Sequence, residues 1–405
     1  MSDRIWTLPG VATHHQSASA GPLTFVGGAG DLDATGRIRN PRDLDAQAGG
    51  AVRAIEDALA TELCTLEDVV RIKAYYTADV GDWNVIAALA RHLPGDPLPA
   101  ISTVPEPLQP FEGQVIQVQA IACRGWRGSS DVRFSHQPVP APARESLGLE
   151  KVTAGLRAGE FIAVANRTAV DDDGRILSAD PVEQSHAVMA MHERTLDELG
   201  ASLQDCVKME GYYFGTSLED WAPLARARAS HFREPGPPAT VVPCHRLHPE
   251  GARTKIGVLA MRGRRGSFDK YIPRLDVWPD RVWDWPIPLP YRQAICLRDM
   301  IWLGGQVPHT PFTNDGGRVM PGDLVAQTRF TMSFIEDLLR GFGRGPSDLK
   351  LMVCYYTSTG ADDTKVFLDT LLATVGGTLP PVTLVPKPMM HSPENTVEIW
   401  GVAQA

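Results

Sequence analysis

Residues repeated at constant offsets constrain this chain more than any other feature. Gln47, Gln184 and Gln327 lie 137 and 143 positions apart. The same two offsets relate three aspartates and three tyrosine pairs: Asp68, Asp205 and Asp348, and Tyr75-Tyr76, Tyr212-Tyr213 and Tyr355-Tyr356. Because solenoid repeats are only about 20 to 50 residues long, a longer period requires each copy to bury its own core. The 405 residues therefore form three tandem copies of one domain.

The first copy shows which secondary structure is repeated. An apolar run, Phe25 to Gly28, precedes a turn rich in Gly and Asp and indicates a hairpin. Apolar spacing predicts a helix over Ala46 to Leu63 and a strand over Val69 to Thr77. A second helix near Trp83 to His92 and a strand over Val115 to Ala122 complete the copy. The sequence thus predicts an α+β domain of order β-β-α-β-α-β, with both helices on one face of the sheet.

A sheet covered on one side leaves its other face apolar, and the other copies can cover it. We therefore expect an intramolecular pseudo-trimer. Lys73 and Glu210 share a sheet face with Tyr75 and Tyr212, which predicts an ion pair between copies one and two. One tyrosine of each pair should pack under a helix.

Composition excludes several classes of partner. The net charge of -9 argues against nucleic-acid binding, and the short basic run 262–265 fits a solvated loop. No apolar stretch reaches the length of a membrane span, and the N-terminus lacks a signal-peptide pattern, so we expect a cytoplasmic protein without membrane contact. The six cysteines lack metal-type spacing, which predicts no metal site. We expect a small-molecule substrate and no cofactor.

The element order, the Gly-Gly after the first strand run and the Ala-Gln on the helix resemble the RidA (YjgF/YER057c/UK114) family. The third copy matches best, through four segments: Pro290-Tyr291-Arg292-Gln293, Gly304-Gly305-Gln306-Val307-Pro308, Ala326-Gln327 and Val397-Glu398-Ile399. The resemblance implies three RidA-like (chorismate mutase-like) domains at 1–125, 150–265 and 288–405, with linkers at 126–149 and 266–287. It also implies a monomeric pseudo-trimer or a homodimer of it.

RidA-like trimers carry clefts between subunits, and the deaminase subgroup hydrolyses enamines and imines to ketones and ammonia. In that subgroup an Arg in the strand before the last binds the substrate carboxylate. The position falls on Ile101, Ala239 and Val382, so the standard 2-imino acid activity is not expected. Arg246 and Arg292 are candidate replacements, or ordinary surface arginines.

The resemblance also indicates catalytic residues. The family's water-positioning acid on the last strand aligns with Gln117, Gly257 and Glu398. Only Glu398 is acidic, and partial burial would raise its pKa and suit proton transfer. The family's pocket tyrosine matches Tyr291, and we predict that Glu398 and Tyr291 are catalytic.

Further residues are predicted to bind substrate. The backbone amides of Gly304 and Gly305 would stabilise developing charge. The other candidates, each with an ordinary structural or solvated alternative, are His14, Ser102, Thr240, Arg246, Arg292, His309 and Thr383.

These residues predict a hydrolase of the deaminase type that acts on a small imine, enamine or related C–N compound in an inter-domain cleft. One alternative is a chorismatase-like enzyme, since those enzymes share this fold and end with a Val-Glu-Ile strand. Against it, they look like two-copy chains and need cations for two substrate carboxylates. The other alternative is a non-catalytic ligand-binding pseudo-trimer.

Overall fold

The computed structural model describes residues 5–8, 12–263, 269–272, 287–309, 319–392 and 394–405. A hairpin of β1 (Ile5–Leu8) and β2 (Ala12–His15) precedes copy one. Copy one contains β3 (Ser17–Ala20), β4 (Leu23–Ala29), α1 (Leu44–Thr61), β5 (Val69–Thr77), α2 (Asp82–Ala90), β6 (Ala100–Glu106) and β7 (Ile116–Cys123). Its sheet has the order β3-β4-β7-β5-β6, in which β5 and β6 are parallel and the other neighbours antiparallel.

Copy two has one additional strand. It contains β8 (Val132–Pro138), α3 (Ala141–Leu147), β9 (Lys151–Ala158), β10 (Phe161–Arg167), α4 (Pro181–Glu198), β11 (Cys206–Phe214), α5 (Leu218–Ala229), β12 (Ala239–Cys244) and β13 (Thr254–Met261). The sheet order is β12-β11-β13-β10-β9-β8. The segment 126–149, predicted as a linker, thus supplies β8 and α3. The exact domain boundaries stay predictions.

Copy three contains β14 (Ala294–Leu297), β15 (Met300–Leu303), α6 (Leu324–Arg340), β16 (Leu349–Thr357), α7 (Ala361–Val375), β17 (Val382–Lys387) and β18 (Val397–Gln404). Its sheet order is β14-β15-β18-β16-β17. The α+β class is confirmed in all three copies, and the predicted β-β-α-β-α-β elements are present in order. Apart from β8, each copy has one strand more than that order contains, because the segment between its last helix and its last strand also pairs in the sheet, as β6, β12 or β17. No helix in the described part of the chain is long and apolar enough to cross a membrane.

The repeated polar residues have structural roles. The buried Gln47 side chain donates to the carbonyl of Gly113 and accepts from the amide of Val115, each at 2.8 Å, and so fastens the loop before β7. Gln184 and Gln327 make the corresponding bonds in their copies. The helix that carries each of these glutamines is also capped by an aspartate at the same two offsets: Asp43, Asp180 and Asp323. These side chains bind loop and helix-end amides that have no partner in regular secondary structure.

The three sheets pack around a common centre, as the pseudo-trimer requires. In each copy one apolar cluster lies between sheet and helices, while the opposite faces of all three sheets share a single cluster. On the pseudo-threefold axis, the hydroxyl of Tyr355 lies 3.1 Å from that of Tyr75 and 3.0 Å from that of Tyr212. The neighbouring Tyr76 and Tyr356 pack under their helices instead. The alternation expected for the tyrosine pairs is thereby confirmed in these two copies.

Buried ion pairs join the copies. Glu210 contacts Lys73, as predicted, and also Arg71. Burial alone would raise the pKa of Glu210, but the Arg71 and Lys73 cations lower it to about 2. Between copies three and one, the fully buried Lys387 and Glu106 lie 2.6 Å apart. In each case a buried charged side chain has an oppositely charged partner, which offsets part of the cost of its burial.

Candidate functional site

A cleft lies at each junction between copies, where the penultimate strand of one copy meets the last strand of the next. β6 meets β10 and β13 in the 1–2 cleft. β12 meets the end of β15 and β18 in the 2–3 cleft, and β17 meets β4 and β7 in the 3–1 cleft. The three clefts are therefore built from equivalent strands, and the 1–2 cleft is also lined by β8 and α3.

Strand register identifies the matched positions in the clefts. The axial tyrosines pair with three residues on the last strands: Tyr75 with Gln117, Tyr212 with Lys255 and Tyr355 with Glu398. The prediction that Gly257 occupies the acid position of copy two is therefore wrong, because Gly257 pairs with Glu210, two positions further along. The spacing in the sequence agrees with Lys255, because it follows Pro243 by the same distance at which Gln117 follows Pro105 and Glu398 follows Pro386.

The 3–1 cleft is closed by an amide side chain. Gln117 donates from Nε2 to the carbonyl of Leu384 at 2.6 Å and accepts from the amide of the same residue at 3.3 Å. Gln119 donates to the hydroxyl of Thr383 at 2.9 Å. The remaining hollow measures only about 20 Å³. This cleft has no room for a substrate.

In the 1–2 cleft the peptide group of Thr103, which matches that of Leu384, is bound by the side-chain amide of Asn166. Asn166 accepts from the amide of Thr103 at 3.0 Å and donates to its carbonyl at 2.8 Å, while the Asn166 amide donates to the hydroxyl of Ser102 at 3.0 Å. Lys255 binds Asp82 at 2.7 Å and the hydroxyl of Thr103 at 3.0 Å. A cavity of about 610 Å³ remains outside these contacts.

The 2–3 cleft has no amide side chain at either matched position. It carries Gly305 where copy two has Asn166, and Glu398 where copy one has Gln117. The buried Glu398 carboxylate accepts from the amide of Val241. A Cβ atom on Gly305 would lie 2.0 Å from Glu398 Oε1, so only glycine leaves room for the carboxyl group. Lys208, fully buried, donates to the hydroxyl of Thr240 at 2.5 Å and to the carbonyl of Leu303 at 2.9 Å.

Burial changes the ionisation of this pair. It raises the pKa of Glu398 to about 8, against the opposing effects of Lys208 and the Val241 amide. Burial also holds the pKa of Lys208 well below its ordinary value. Desolvation penalises whichever form is charged, so a carboxyl and an amine both shift toward neutrality. Near neutral pH, Glu398 therefore keeps its proton and can act as an acid.

A second buried basic residue of this region lies beside two tyrosines. Arg228 on α5 is fully buried and has no acidic partner among the described residues. It lies beside Tyr291 and Tyr213. Burial raises the pKa of Tyr213, Glu398 raises it further and Arg228 opposes them, so Glu398 and Arg228 each lie within electrostatic range of Tyr213. Tyr291 packs on copy two, with its hydroxyl 3.6 Å from the Met209 sulfur, and burial raises its pKa to about 12.

Two histidines stand on the loops beside β18. The Nε2 atom of His309 lies 3.1 Å from Asn395 Oδ1, and the rings of His309 and His391 meet edge to face at 5.7 Å. His391 also contacts the amide of Asn395. Since Asn395 precedes Glu398 by only three residues, this group lies on the copy that supplies the acid. Among the described residues, no cluster of three or more His, Cys, Asp or Glu side chains is placed to hold a metal ion.

The structure places the other predicted residues in different surroundings. The amides of Gly304 and Gly305 already donate to the carbonyls of Gln293 and Ala239, at 2.7 and 2.8 Å. They are therefore not available to stabilise developing charge, and that part of the prediction is wrong. The hydroxyls of Ser102, Thr240 and Thr383 each accept a hydrogen bond from the protein. Their contact with a ligand stays a prediction.

Neither predicted replacement arginine reaches Glu398. Arg292 bonds neighbouring carbonyls and meets the exposed Glu234 at 3.3 Å. Arg246 is exposed and acts electrostatically on Tyr76, which lies beside the 1–2 cleft. His14 pairs with Trp6 through the backbone in the N-terminal hairpin, and its side chain lies outside what the structure describes.

Comparison with known proteins identifies the family. Residues 149–262 match the family model described as Endoribonuclease L-PSP. A RutC family protein of Pyrococcus abyssi is 33% identical over 93 residues, which are 23% of this chain and 72% of that protein. The chain belongs to the RidA/YjgF family, which includes the RutC and L-PSP proteins. A second RutC family protein, from Sulfurisphaera tokodaii, is 32% identical over 62 residues, which are 15% of this chain and 47% of that protein.

One solved structure matches nearly the whole of this RidA-family chain. A crystal structure of chorismatase superimposes with a TM-score of 0.56 and 13% identity, covering 83% of this chain and 93% of that one. At this identity the match shows a shared fold alone. Because two copies cannot supply 83% of the chain, the expectation that chorismatases look like two-copy chains is wrong.

Lys208 and Arg228 were not among the predicted site residues, although the sequence contains a signal for each. Lys208 precedes Glu210 and Tyr212 at alternating positions, so all three share the inner face of β11. Arg228 follows the buried Leu224 and Ala225 by four and three residues, which places it on the buried stripe of α5. A charged residue on a buried stripe is a candidate for function.

Proposed function

We propose that this RidA-family protein is a hydrolase of the deaminase type, acting on a small imine or enamine in the 2–3 cleft with Glu398 as the acid. The observation that carries the proposal is the buried Glu398, whose pKa of about 8 keeps it protonated in the one cleft where neither matched residue is an amide or a lysine. A positioned acid with a pKa near the working pH is efficient in proton transfer.

The chemistry requires one proton and one water. Glu398 donates its proton to the electron-rich carbon of an enamine, which forms an iminium ion; an imine is protonated on nitrogen to give the same species. Water then adds to the iminium carbon, and the Glu398 carboxylate accepts a proton from that water. Collapse of the tetrahedral adduct breaks the C–N bond and releases a ketone and ammonia. Tyr291 shapes the cleft beside Arg228 in this proposal.

Arg228 supports recognition of a negatively charged substrate. The position that holds the carboxylate in RidA deaminases carries Ile101, Ala239 and Val382, so that contact is absent from all three clefts. Arg228 lacks an acidic partner among the described residues, and a guanidinium binds a carboxylate through two parallel hydrogen bonds. We assign the substrate carboxylate to Arg228.

A chorismatase-like hydrolysis is the second candidate, and two observations favour it. The fold match spans most of both chains. The two buried basic side chains, Lys208 and Arg228, are candidate partners for the two carboxylates of chorismate. Cleavage of an enol ether begins like that of an enamine, because a proton must be placed on the terminal carbon before water adds. The same acid therefore serves either substrate.

Turnover of defined substrates separates these possibilities. The protein is incubated with imines formed in situ from amino acids by an amino-acid oxidase, and separately with chorismate, while ammonia and pyruvate are measured. Glu398→Gln should reduce turnover by about 100-fold or more, whereas Glu112→Gln, an exposed acid on the loop before β7, should not. Unchanged turnover in Glu398→Gln would refute the assignment. Ligand binding without turnover of any substrate would favour the non-catalytic alternative.

We also propose that the chain works as a monomeric pseudo-trimer or as a homodimer of it. Each cleft has a complete set of strands from one chain, so further copies are not needed to build one. Analytical ultracentrifugation tests this, and a stable trimer of chains would contradict it.

A further inference from the structure

Two histidines of copy two meet on the outer surface of its helices. His186 lies on α4, and His231 lies just beyond the end of α5. The Nδ1 atom of His186 is 3.0 Å from the Nε2 atom of His231, and the ring centroids are 5.3 Å apart. His186 is exposed, and the side chain of His231 is 18% exposed. Both rings are therefore within reach of a small solute.

The repeat shows that the fold does not require this pair. At the offsets of 137 and 143, the position of His186 is taken by Gly49 in copy one and by Arg329 in copy three. In copy one the ring of His92 lies beside Gly49, so that junction holds one imidazole instead of two. A position that accepts glycine or arginine in the same fold has no structural need for a histidine.

A carboxylate fixes the hydrogen of His231. The Oε1 atom of Glu193 lies 3.2 Å from the Nδ1 atom of His231. Because a carboxylate only accepts hydrogen bonds, Nδ1 carries the hydrogen, and Nε2 keeps its lone pair on the side of His186. A histidine that binds a metal ion usually donates its other N–H to a carboxylate or a carbonyl, which orients the ring and makes the free nitrogen more basic. His231 has this partner.

The separation of the two nitrogens suits a transition-metal ion. Bonds from zinc to histidine nitrogen are about 2.0–2.1 Å long, so two nitrogens on one ion lie about 2.9–3.4 Å apart at bond angles between square and tetrahedral. The observed 3.0 Å lies in this range. With an ion bound, the hydrogen of His186 lies on Nε2, and the exposed ring turns its Nδ1 lone pair toward the ion. Water fills the remaining positions around the ion.

From this geometry we propose that His186 and His231 form a surface site for a divalent transition-metal ion of the Zn²⁺ type, with Glu193 orienting His231. Imidazole ligands favour zinc, nickel and copper ions over magnesium and calcium. The bound ion ties α4 to the end of α5 and so stabilises copy two. The cysteine spacing gives no sign of this site, because its ligands are two histidines 45 positions apart. It is separate from the cleft that carries Glu398.

Zinc titration tests the site. Isothermal titration calorimetry of the full chain, without added histidines, should show binding of Zn²⁺ and none of Mg²⁺, which prefers oxygen ligands. His186→Asn and His231→Asn should each weaken Zn²⁺ binding by about ten-fold or more, and Glu193→Ala by about ten-fold, because His231 then loses the group that orients it. His92→Asn is the matched control at the same junction of copy one and should leave Zn²⁺ binding unchanged. Undiminished Zn²⁺ binding in both histidine variants, or equal binding of Mg²⁺, would overturn the proposal.

Thermal unfolding separates metal binding from a structural role. Zn²⁺ should raise the unfolding temperature of the wild type and of His92→Asn, because an ion that binds only the folded state stabilises it by mass action. It should not raise that of His186→Asn. Without metal, His186→Asn should unfold at the wild-type temperature, because the side chain is exposed. A lower temperature without metal, together with lost Zn²⁺ binding, would mean that the pair is structural and would overturn the proposal.

The same titration distinguishes this site from the proposed function. Glu398→Gln should keep the wild-type affinity for Zn²⁺ whether or not it loses turnover. Loss of Zn²⁺ binding in that variant would place the ion in the 2–3 cleft and refute a site on α4 and α5.

Discussion

Replacing Glu398 with glutamine should stabilise the protein by an amount that depends on pH. Burial raises the pKa of Glu398 from 4.5 to about 8. The folded state therefore holds this proton more tightly than the unfolded state between those two values. A carboxyl with a raised folded-state pKa loses stability as pH rises through this window. Glutamine has nearly the same shape and no ionisation, so the variant does not incur this loss.

The difference between the folded and unfolded pKa values of Glu398 sets the size of this stabilisation. Each pH unit within the window corresponds to about 1.4 kcal/mol of unfolding free energy. The variant should gain about 1 kcal/mol over the wild type at pH 5 and about 3 kcal/mol at pH 7, and the gain should level off above pH 8. Any change that glutamine makes in packing adds a constant and does not alter this slope.

Urea unfolding of both proteins across this pH range measures the difference directly. Glu112→Gln is the matched control, because its carboxyl is exposed and the same substitution there should give a difference independent of pH. A difference between Glu398→Gln and the wild type that stays flat from pH 5 to pH 8 would refute the raised pKa. It would also remove the physical basis for Glu398 as an acid. Turnover by the wild type should fall as pH rises through about 8, as the acid loses its proton.

Three further substitutions test the architecture and the cleft. Glu210→Gln leaves the two cations of copy one buried without a counter-charge and should cost about 3–5 kcal/mol of unfolding free energy, measured with urea at pH 7. In the wild type the pKa of Glu210 is lowered from 4.5 to about 2 in the folded state. Its contribution to stability should therefore be complete above pH 4.5 and disappear as pH falls toward 2. Tyr355→Phe removes both hydrogen bonds on the axis and should cost about 1–3 kcal/mol by the same measurement, and no loss would contradict the shared hydroxyl contacts. Gly305→Ala should displace the Glu398 carboxyl and lower turnover about 100-fold, whereas Gly28→Ala, with its equivalent clash in the closed cleft, should leave turnover intact.

The fold could be predicted from the sequence because the residues that determine it act locally and recur in each copy. Gln47 and its two counterparts fasten one loop per copy, and the offset between them is visible without coordinates. The alternation of Tyr75 and Tyr76 predicts one inward and one helix-facing side chain, as the structure shows. Lys73 and Glu210 were paired by the same reasoning, because equivalent inner faces of three sheets can only face one another.

Only part of the candidate site could be predicted from the sequence. Glu398 was found from its family position, but its pKa follows from burial between two copies. The backbone hydrogen bonds of Gly304 and Gly305, which argue against a role for their amides, depend on a strand of copy two and on the segment before β14. That Lys255 and not Gly257 takes the matched position is shown by the strand pairing, and the distance from Pro243 in the sequence agrees with it.

What the sequence determined by itself was the architecture: three copies of one α+β domain, each with a helix-covered sheet and an apolar inner face. What only the tertiary structure decided was how the equivalent clefts differ. Gln117 closes one, Asn166 and Lys255 occupy the edge of another, and Glu398 stays protonated in the third. The physical reason is that repeated residues satisfy their partners within a copy. Cleft residues acquire their partners and their desolvation from a neighbouring copy, more than a hundred residues away along the chain.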